Sequence, residues 1–192
     1  MAATVAAAVA ALTRGALVGV PTDTVYGIAA DPFCEQAVAA LFAAKGRPSV
    51  KPIPILAADA AQAARIGVLD GPAADLAARH WPGPLTLVVP RADGLPPWIG
   101  DPAAGTVGVR VPDHPVALAL LAGAGPLAVT SANRSGDPGV AGHTAARAAL
   151  GGVVAVYLVG RGAGGEASTV LDLTGPAPRL LRPGPVPWPP GA

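Results

Sequence analysis

The sequence predicts an α/β fold, a sheet with helices packed against it. Helix-like and strand-like segments alternate along the whole chain, the pattern of sheets covered by helices. Hydrophobic residues make up 52% and charged residues 13%, so the chain must bury its side chains despite 25 glycines and 23 prolines. At 192 residues it has the length for one ordinary core, without internal repeats or a linker long enough to divide it.

Residues 2–13 read as an alanine-rich helix ended by Gly15. Residues 16–20 are a short apolar run expected to be a buried strand. The polar turn 21–27 follows and is expected to lead toward a helix at 34–44, with Val38, Leu41 and Phe42 on one face. Pro48 stops that pattern. Residues 53–56 read as a strand in which Pro54 predicts an edge or a bulge. Short helices are expected near 59–65 and 72–80, and strands at 85–89 and 107–111. A helix at 115–121, a strand at 127–130 and a helix at 143–150 come next, then strands at 153–159, 169–173 and 179–181. The tail from Pro183 is mostly proline and glycine and is expected to be extended. The expected division is one domain over 1–187 and a short tail over 188–192.

Several function classes are excluded or disfavoured. A net charge of +1 rules out a strongly basic nucleic-acid coat but not a local basic patch. One cysteine, Cys34, excludes a disulfide framework and a cysteine-rich zinc site. His80, His114 and His143 are far apart without zinc spacing, so no metal site of the protein's own is expected. His114 reads as a capping turn at a helix start. No glycine stands immediately before Lys45 or Lys51, so a P-loop is absent. Residues 160–165 fit a dinucleotide fingerprint by letter, but the β-like run Ser168-Thr169-Val170 follows where a helix is needed. No nucleophile elbow of the Gly-x-Ser-x-Gly type occurs. Between His114 and Arg134 the uncharged stretch is broken by Gly123, Gly125 and Pro126, which disfavours a membrane span. Arg14 follows the apolar N-terminus instead of preceding it, unlike a signal peptide, so a soluble cytoplasmic protein is expected.

What remains is a set of hydroxyls and cations at strand ends. Pro21-Thr22-Asp23-Thr24 can present hydroxyls and backbone N–H groups to an anion, or can be an ordinary turn with a cap. Arginine outnumbers lysine 11 to 2, yet both lysines fall within residues 45–51. Lys45 and Arg47 at a helix end can simply answer the helix dipole. With Lys51 close by, the cluster also suits a polyphosphate. Thr106, Gly108 and Arg110 share one face of a strand, with the glycine leaving room for a ligand; a cross-strand acid is the alternative partner for Arg110. Thr130-Ser131-Ala132-Asn133 directly follows a strand, the usual ligand position in α/β sheets, although a polar loop with Ser or Asx turns reads the same way. Trp81-Pro82-Gly83-Pro84 reads as rigid and structural.

Taken together, PTDTVYG, KGRP, WPGPLT, TVGVRVPDHP, TSANRSG, STVLDLT and LRPGP resemble, in order, the segments of the YrdC-like family over roughly residues 15–187. Seven segments in order are far more specific than any one. The chain resembles the short form of that family. It departs from some members at Lys51, Leu56 and Gly139, where they have Asn, His and Ser. The resemblance implies a twisted, mixed open sheet with flanking helices around a large concave pocket. Characterised members are L-threonylcarbamoyladenylate synthases, which use ATP with Mg²⁺, bicarbonate and L-threonine to make threonylcarbamoyl-AMP and pyrophosphate. Their product feeds a transferase complex that modifies adenosine in tRNA. Residue by residue, the resemblance implies that Lys45 and Arg47 meet the ATP phosphates and carry catalysis. It adds Lys51, Thr106, Ser131, Asn133 and Arg182 on the nucleotide, and Thr24, Arg110 and Ser168 on threonine. The alternatives are a carbamoyl-adenylate-type transferase paralogue and a non-catalytic RNA-binding module. Near-neutral charge weighs against the latter, so direct tRNA binding is expected to be weak.

Overall fold

The computed structural model describes residues 3–46, 52–133, 139–162 and 166–189. Helix α1 (Val5–Thr13) starts at Thr4, whose hydroxyl accepts from the Ala7 N–H at 3.2 Å. Strands β1 (Leu17–Val20) and β2 (Gly27–Ala30) are wholly buried and pair antiparallel. The turn 21–26 therefore joins two strands, where the sequence led toward a helix. Strand β2 was not expected, because Gly-Ile-Ala-Ala lacks both β-branched density and alternation.

Helix α2 (Glu35–Lys45) ends on Gly46, whose φ of 57° is the left-handed cap that glycine adopts without strain. Then come β3 (Ile55–Leu56), α3 (Ala60–Ala64), α4 (Gly71–His80), β4 (Leu85–Pro90) and β5 (Thr106–Arg110). After them are α5 (Pro115–Ala124), β6 (Leu127–Ser131), α6 (His143–Leu150), β7 (Val154–Tyr157), β8 (Thr169–Asp172) and β9 (Arg179–Arg182). One mixed sheet runs in the order β7-β1-β2-β6-β3-β5-β4-β8-β9.

The expectation of an edge or bulge at Pro54 is corrected. Strand β3 lies inside the sheet, parallel to β5 and antiparallel to β6. Pro54 stands just before the paired residues, so no ladder donor is lost, and its carbonyl accepts from Val129 N–H at 3.1 Å. His114 caps α5 as expected, with Nδ1 accepting from Val116 N–H at 3.2 Å.

The two faces of the sheet are covered unequally, and this creates the site. On one face α2, α4 and α6 bury a core that includes Leu41, Leu76, Ile28, Leu85, Leu87, Val107 and Val109. On the other face α1 and α5 pack on Val18, Val20, Ala29, Leu127 and Val129. Strand alternation assigns Thr86 and Val88, Gly108 and Arg110, and Val170 and Asp172 to this second face, beyond the reach of α1 and α5. The bare floor formed by β5, β4 and β8 is the bottom of a cavity. The tail turns back onto the domain: Val186 N–H donates to Thr169 Oγ1, which donates to Val186 O at 2.8 Å.

Candidate active site

The cavity has a volume of about 620 Å³ and opens on the second face. That size suits a ligand somewhat larger than a single amino acid. Six of the ten residues that the resemblance assigns to ligands line it: Thr24, Thr106, Arg110, Ser131, Ser168 and Arg182. Lys45 lies behind that lining: its ammonium donates to Ser131, which borders the cavity, and to Asn133. Arg47 and Lys51 lie outside the described residues.

Thr106, Gly108 and Arg110 do share one face of β5 and all border the cavity. Arg110 is buried and its guanidinium is held on three sides. Nε donates to Gly83 O at 3.0 Å, one terminal nitrogen to Thr24 Oγ1 at 3.0 Å, and the other to Asp23 Oδ1 at 2.5 Å. An acid does pair with Arg110, but it comes from the β1–β2 turn and not from a neighbouring strand. Burial lowers the affinity of this guanidinium for its proton, Asp23 opposes that, and Arg182 adds to it. It nonetheless remains a cation. With three of its five N–H groups committed, two are left for a bidentate carboxylate. Gly83 is more than a rigid spacer, because a Cβ there would run into the His80 carbonyl, and its own carbonyl fixes Arg110.

A second cluster closes the same end. Thr86 Oγ1 and Ser168 Oγ lie 2.8 Å apart, both buried. Arg182 bends over Ser168, donating from Nε and one terminal nitrogen to its carbonyl at 2.9 and 2.7 Å and to its hydroxyl at 2.9 Å. Arg182 is thereby a clamp on Ser168 as well as a wall of the cavity. At the opposite end of β8, Asp172 accepts from Thr174 and from Arg179 at 2.8 Å. Burial pushes the Asp172 carboxyl up, but the Thr174 and Arg179 hydrogen bonds outweigh it and hold the group below its ordinary value.

Lys45 does more than answer the helix dipole. A cation that merely answers a helix dipole stays in water, whereas Lys45 is 3% exposed. Its ammonium donates to Ser131 O at 2.7 Å, Ser131 Oγ at 3.1 Å and Asn133 Oδ1 at 3.2 Å. Helix α2 thus delivers a positive charge to the end of β6, where Ser131 borders the cavity.

Residues the sequence did not single out are Thr86, Asp172 and Arg179. Thr22 lies within a segment flagged for its hydroxyls. The β8–β9 pair Asp172 and Arg179 carries no local signal, because it depends on a hairpin register. Among the described residues no three or more His, Cys, Asp or Glu side chains gather as a metal site, and no helix is long and apolar enough to cross a membrane.

A mixed α/β sheet with one half-bare face, paved with hydroxyls and edged by the buried Arg110 and the more exposed Arg179 and Arg182, defines a small-molecule site suited to an anionic ligand with several hydrogen-bonding groups. The chain belongs to the Sua5/YciO/YrdC family, whose model, described as "Telomere recombination", matches residues 10–184. A Mycobacterium tuberculosis H37Rv protein, provisionally named a threonylcarbamoyl-AMP synthase, is 48% identical over 185 residues, covering 95% of this chain and 84% of its own. The Bacillus subtilis threonylcarbamoyl-AMP synthase is 41% identical over 189 residues, 94% of this chain and 53% of that protein. The structure of Pyrococcus abyssi Sua5 complexed with L-threonine superposes with a TM-score of 0.89 at 39% identity, covering 95% of this chain and 54% of that one. This chain therefore spans about half the length of those last two relatives.

Proposed function

We propose that the protein is a threonylcarbamoyl-AMP synthase, joining L-threonine, bicarbonate and the AMP part of ATP with release of pyrophosphate. One observation carries this reading: a single cavity is bordered by Arg110, Thr24 and Ser168, a set suited to an amino acid, and by Ser131, on whose oxygens the Lys45 ammonium rests. Relatives at 41–48% identity bear that enzyme name, and a solved neighbour holds L-threonine.

In this reading the two remaining Arg110 N–H groups grip the threonine carboxylate. The threonine amine and bicarbonate condense to a carbamate with loss of water. A carbamate oxygen then attacks the α-phosphorus, forming the acyl–phosphate bond as the bond to pyrophosphate breaks. Negative charge grows on the phosphate oxygens and on the leaving pyrophosphate. The Lys45 ammonium, pre-positioned by Ser131 and Asn133, opposes that charge at little reorganisation cost. The family resemblance adds Arg47 and Lys51 as further cations for the phosphates, and Thr106 and Arg182, which line the cavity, are assigned to the nucleotide. Mg²⁺ enters as part of the ATP substrate. The donor set fits that arrangement, since Asp101 and Asp172 border the cavity and Asp23 Oδ2 is buried without a hydrogen-bond partner, so carboxylate oxygens would be at hand beside the phosphates. The product passes to a tRNA-modifying transferase complex.

Threonine-dependent pyrophosphate release from ATP, run beside filter binding of tRNA, tests the reading. Release that requires both threonine and bicarbonate supports it. Tight tRNA binding without release would support an RNA-binding module instead.

A further inference from the structure

The hydroxyl network beside Arg110 has only one consistent direction. Thr22 Oγ1 lies 2.7 Å from Val25 O, an acceptor only, so the single hydroxyl hydrogen of Thr22 is spent there. Thr22 Oγ1 also receives Thr24 N–H at 3.2 Å. The 3.0 Å contact between Thr22 Oγ1 and Thr24 Oγ1 must then run from Thr24 to Thr22, because Thr22 has no hydrogen left. Thr22 is thereby saturated, with one hydrogen given and two lone pairs filled. Thr24 has given its hydrogen and accepts one N–H from Arg110 at 3.0 Å. It keeps one lone pair and no proton to offer. Both threonines are 3% exposed and both border the cavity.

We infer that Thr22 is a positioning residue that locks Thr24 Oγ1 as an acceptor for an N–H group of the amino-acid substrate. This rests on the functional reading above and extends it to the recognition of the amine. An N–H is present on threonine and persists on its carbamate, so one fixed acceptor serves both. A ligand with an acceptor at that place would face lone pair against lone pair. The same end offers the complementary polarity. Ser168 Oγ accepts from Arg182, so whichever way the Thr86–Ser168 contact runs, the pair keeps one hydroxyl hydrogen to donate. Donors at Arg110 and at Thr86–Ser168 for a carboxylate, with an acceptor at Thr24 for an amine, read the two ends of an amino acid.

The test is calorimetry of L-threonine and, separately, of ATP. Thr22→Val keeps the shape but removes the hydroxyl, releasing the Thr24 hydrogen. It is expected to weaken L-threonine about tenfold, a loss of roughly 1.4 kcal/mol, while ATP affinity stays within about twofold. Thr22→Ser, which keeps the hydroxyl, is expected to restore L-threonine binding. In Thr24→Val the acceptor is gone, so adding Thr22→Val should cost nothing more, since Thr22 acts through Thr24. Thr22→Ala is the second variant should Thr22→Val not fold, with the same expectations. The inference is overturned if L-threonine binding is unchanged in either variant, if ATP weakens equally, if Thr22→Ser fails to rescue, or if the losses add on the Thr24→Val background. Parent protein that binds no L-threonine would instead overturn the functional reading.

Discussion

Lys45 and Ser131 are 86 positions apart in sequence, and the Lys45 ammonium donates both to the Ser131 carbonyl, at 2.7 Å, and to its hydroxyl, at 3.1 Å. The last residue of α2 and the last residue of β6 are thus one unit. A buried ammonium needs such partners, because an unpaired charge away from water is costly. Three acceptors fix where its charge sits before any ligand arrives.

Lys45→Met keeps the aliphatic stem and removes that charge. Pyrophosphate release should fall by orders of magnitude. Leaving Asn133 Oδ1 and the Ser131 carbonyl short of a donor should also cost about 1–3 kcal/mol of stability. Steady-state release and a thermal melt on the same sample check both effects. Near-parental release would remove Lys45 from the mechanism.

Asp23 and Arg110 form a buried pair, with side chains 12% and 6% exposed. Removing one partner of such a pair costs about 3–5 kcal/mol, since the other charge is stranded. Asp23→Asn should therefore lower the melting temperature markedly. Arg110→Lys keeps a charge but loses the fork, so L-threonine affinity should fall at least tenfold with ATP affinity little changed. Calorimetry of the two ligands separates these effects.

Gly184 lies against the backbone that carries Ser168. A Cβ there would be 2.5 Å from Ala167 O and closer still to Thr169 N, nearer than real Cβ atoms come to backbone atoms. Gly184→Ala must displace the turn that lets Arg182 clamp Ser168. Activity should fall severalfold or more, and the melting temperature should fall with it. Unchanged kinetics would mean that the clamp is dispensable.

Burial holds the His114 imidazole below its usual 6.5, despite Asp23 and Asp113 acting to raise it. The neutral ring is the one that caps α5, because Nδ1 must accept from Val116 N–H. The folded state therefore takes up its proton at lower pH than the unfolded chain. The stabilisation is complete above about pH 6.5, the ordinary histidine value, and is lost as pH falls from there through the folded value. His114→Asn retains a capping acceptor that does not titrate. Its melting temperature should fall less than the parent's between about pH 7.5 and 5.5.

Much of this arrangement was legible in the residues. The one-face grouping of Thr106, Gly108 and Arg110 follows from strand alternation alone, and the structure places all three at the cavity. The His114 cap was equally visible. The interior position of β3 was not, because a proline inside an apolar run signals an edge when the register that spares its missing N–H is unknown. Strand β2 was invisible because its glycine and alanines pass for turn residues until β1 and β6 pair on either side. Lys45 read ambiguously, since helix ends attract cations whether or not they turn inward. Thr86 stayed hidden for a different reason. A single hydroxyl has no sequence signature, and its role depends on which groups take its hydrogen.

The central claim is that one cavity joins an amino acid to a nucleotide through a carbamate. Mass spectrometry of the product formed from ATP, bicarbonate and each of several amino acids tests it most directly. The expected result is threonylcarbamoyl-AMP, dependent on bicarbonate and formed in preference with L-threonine. Parent protein that folds, binds ATP and yet forms no carbamoyl adenylate with any amino acid would contradict it.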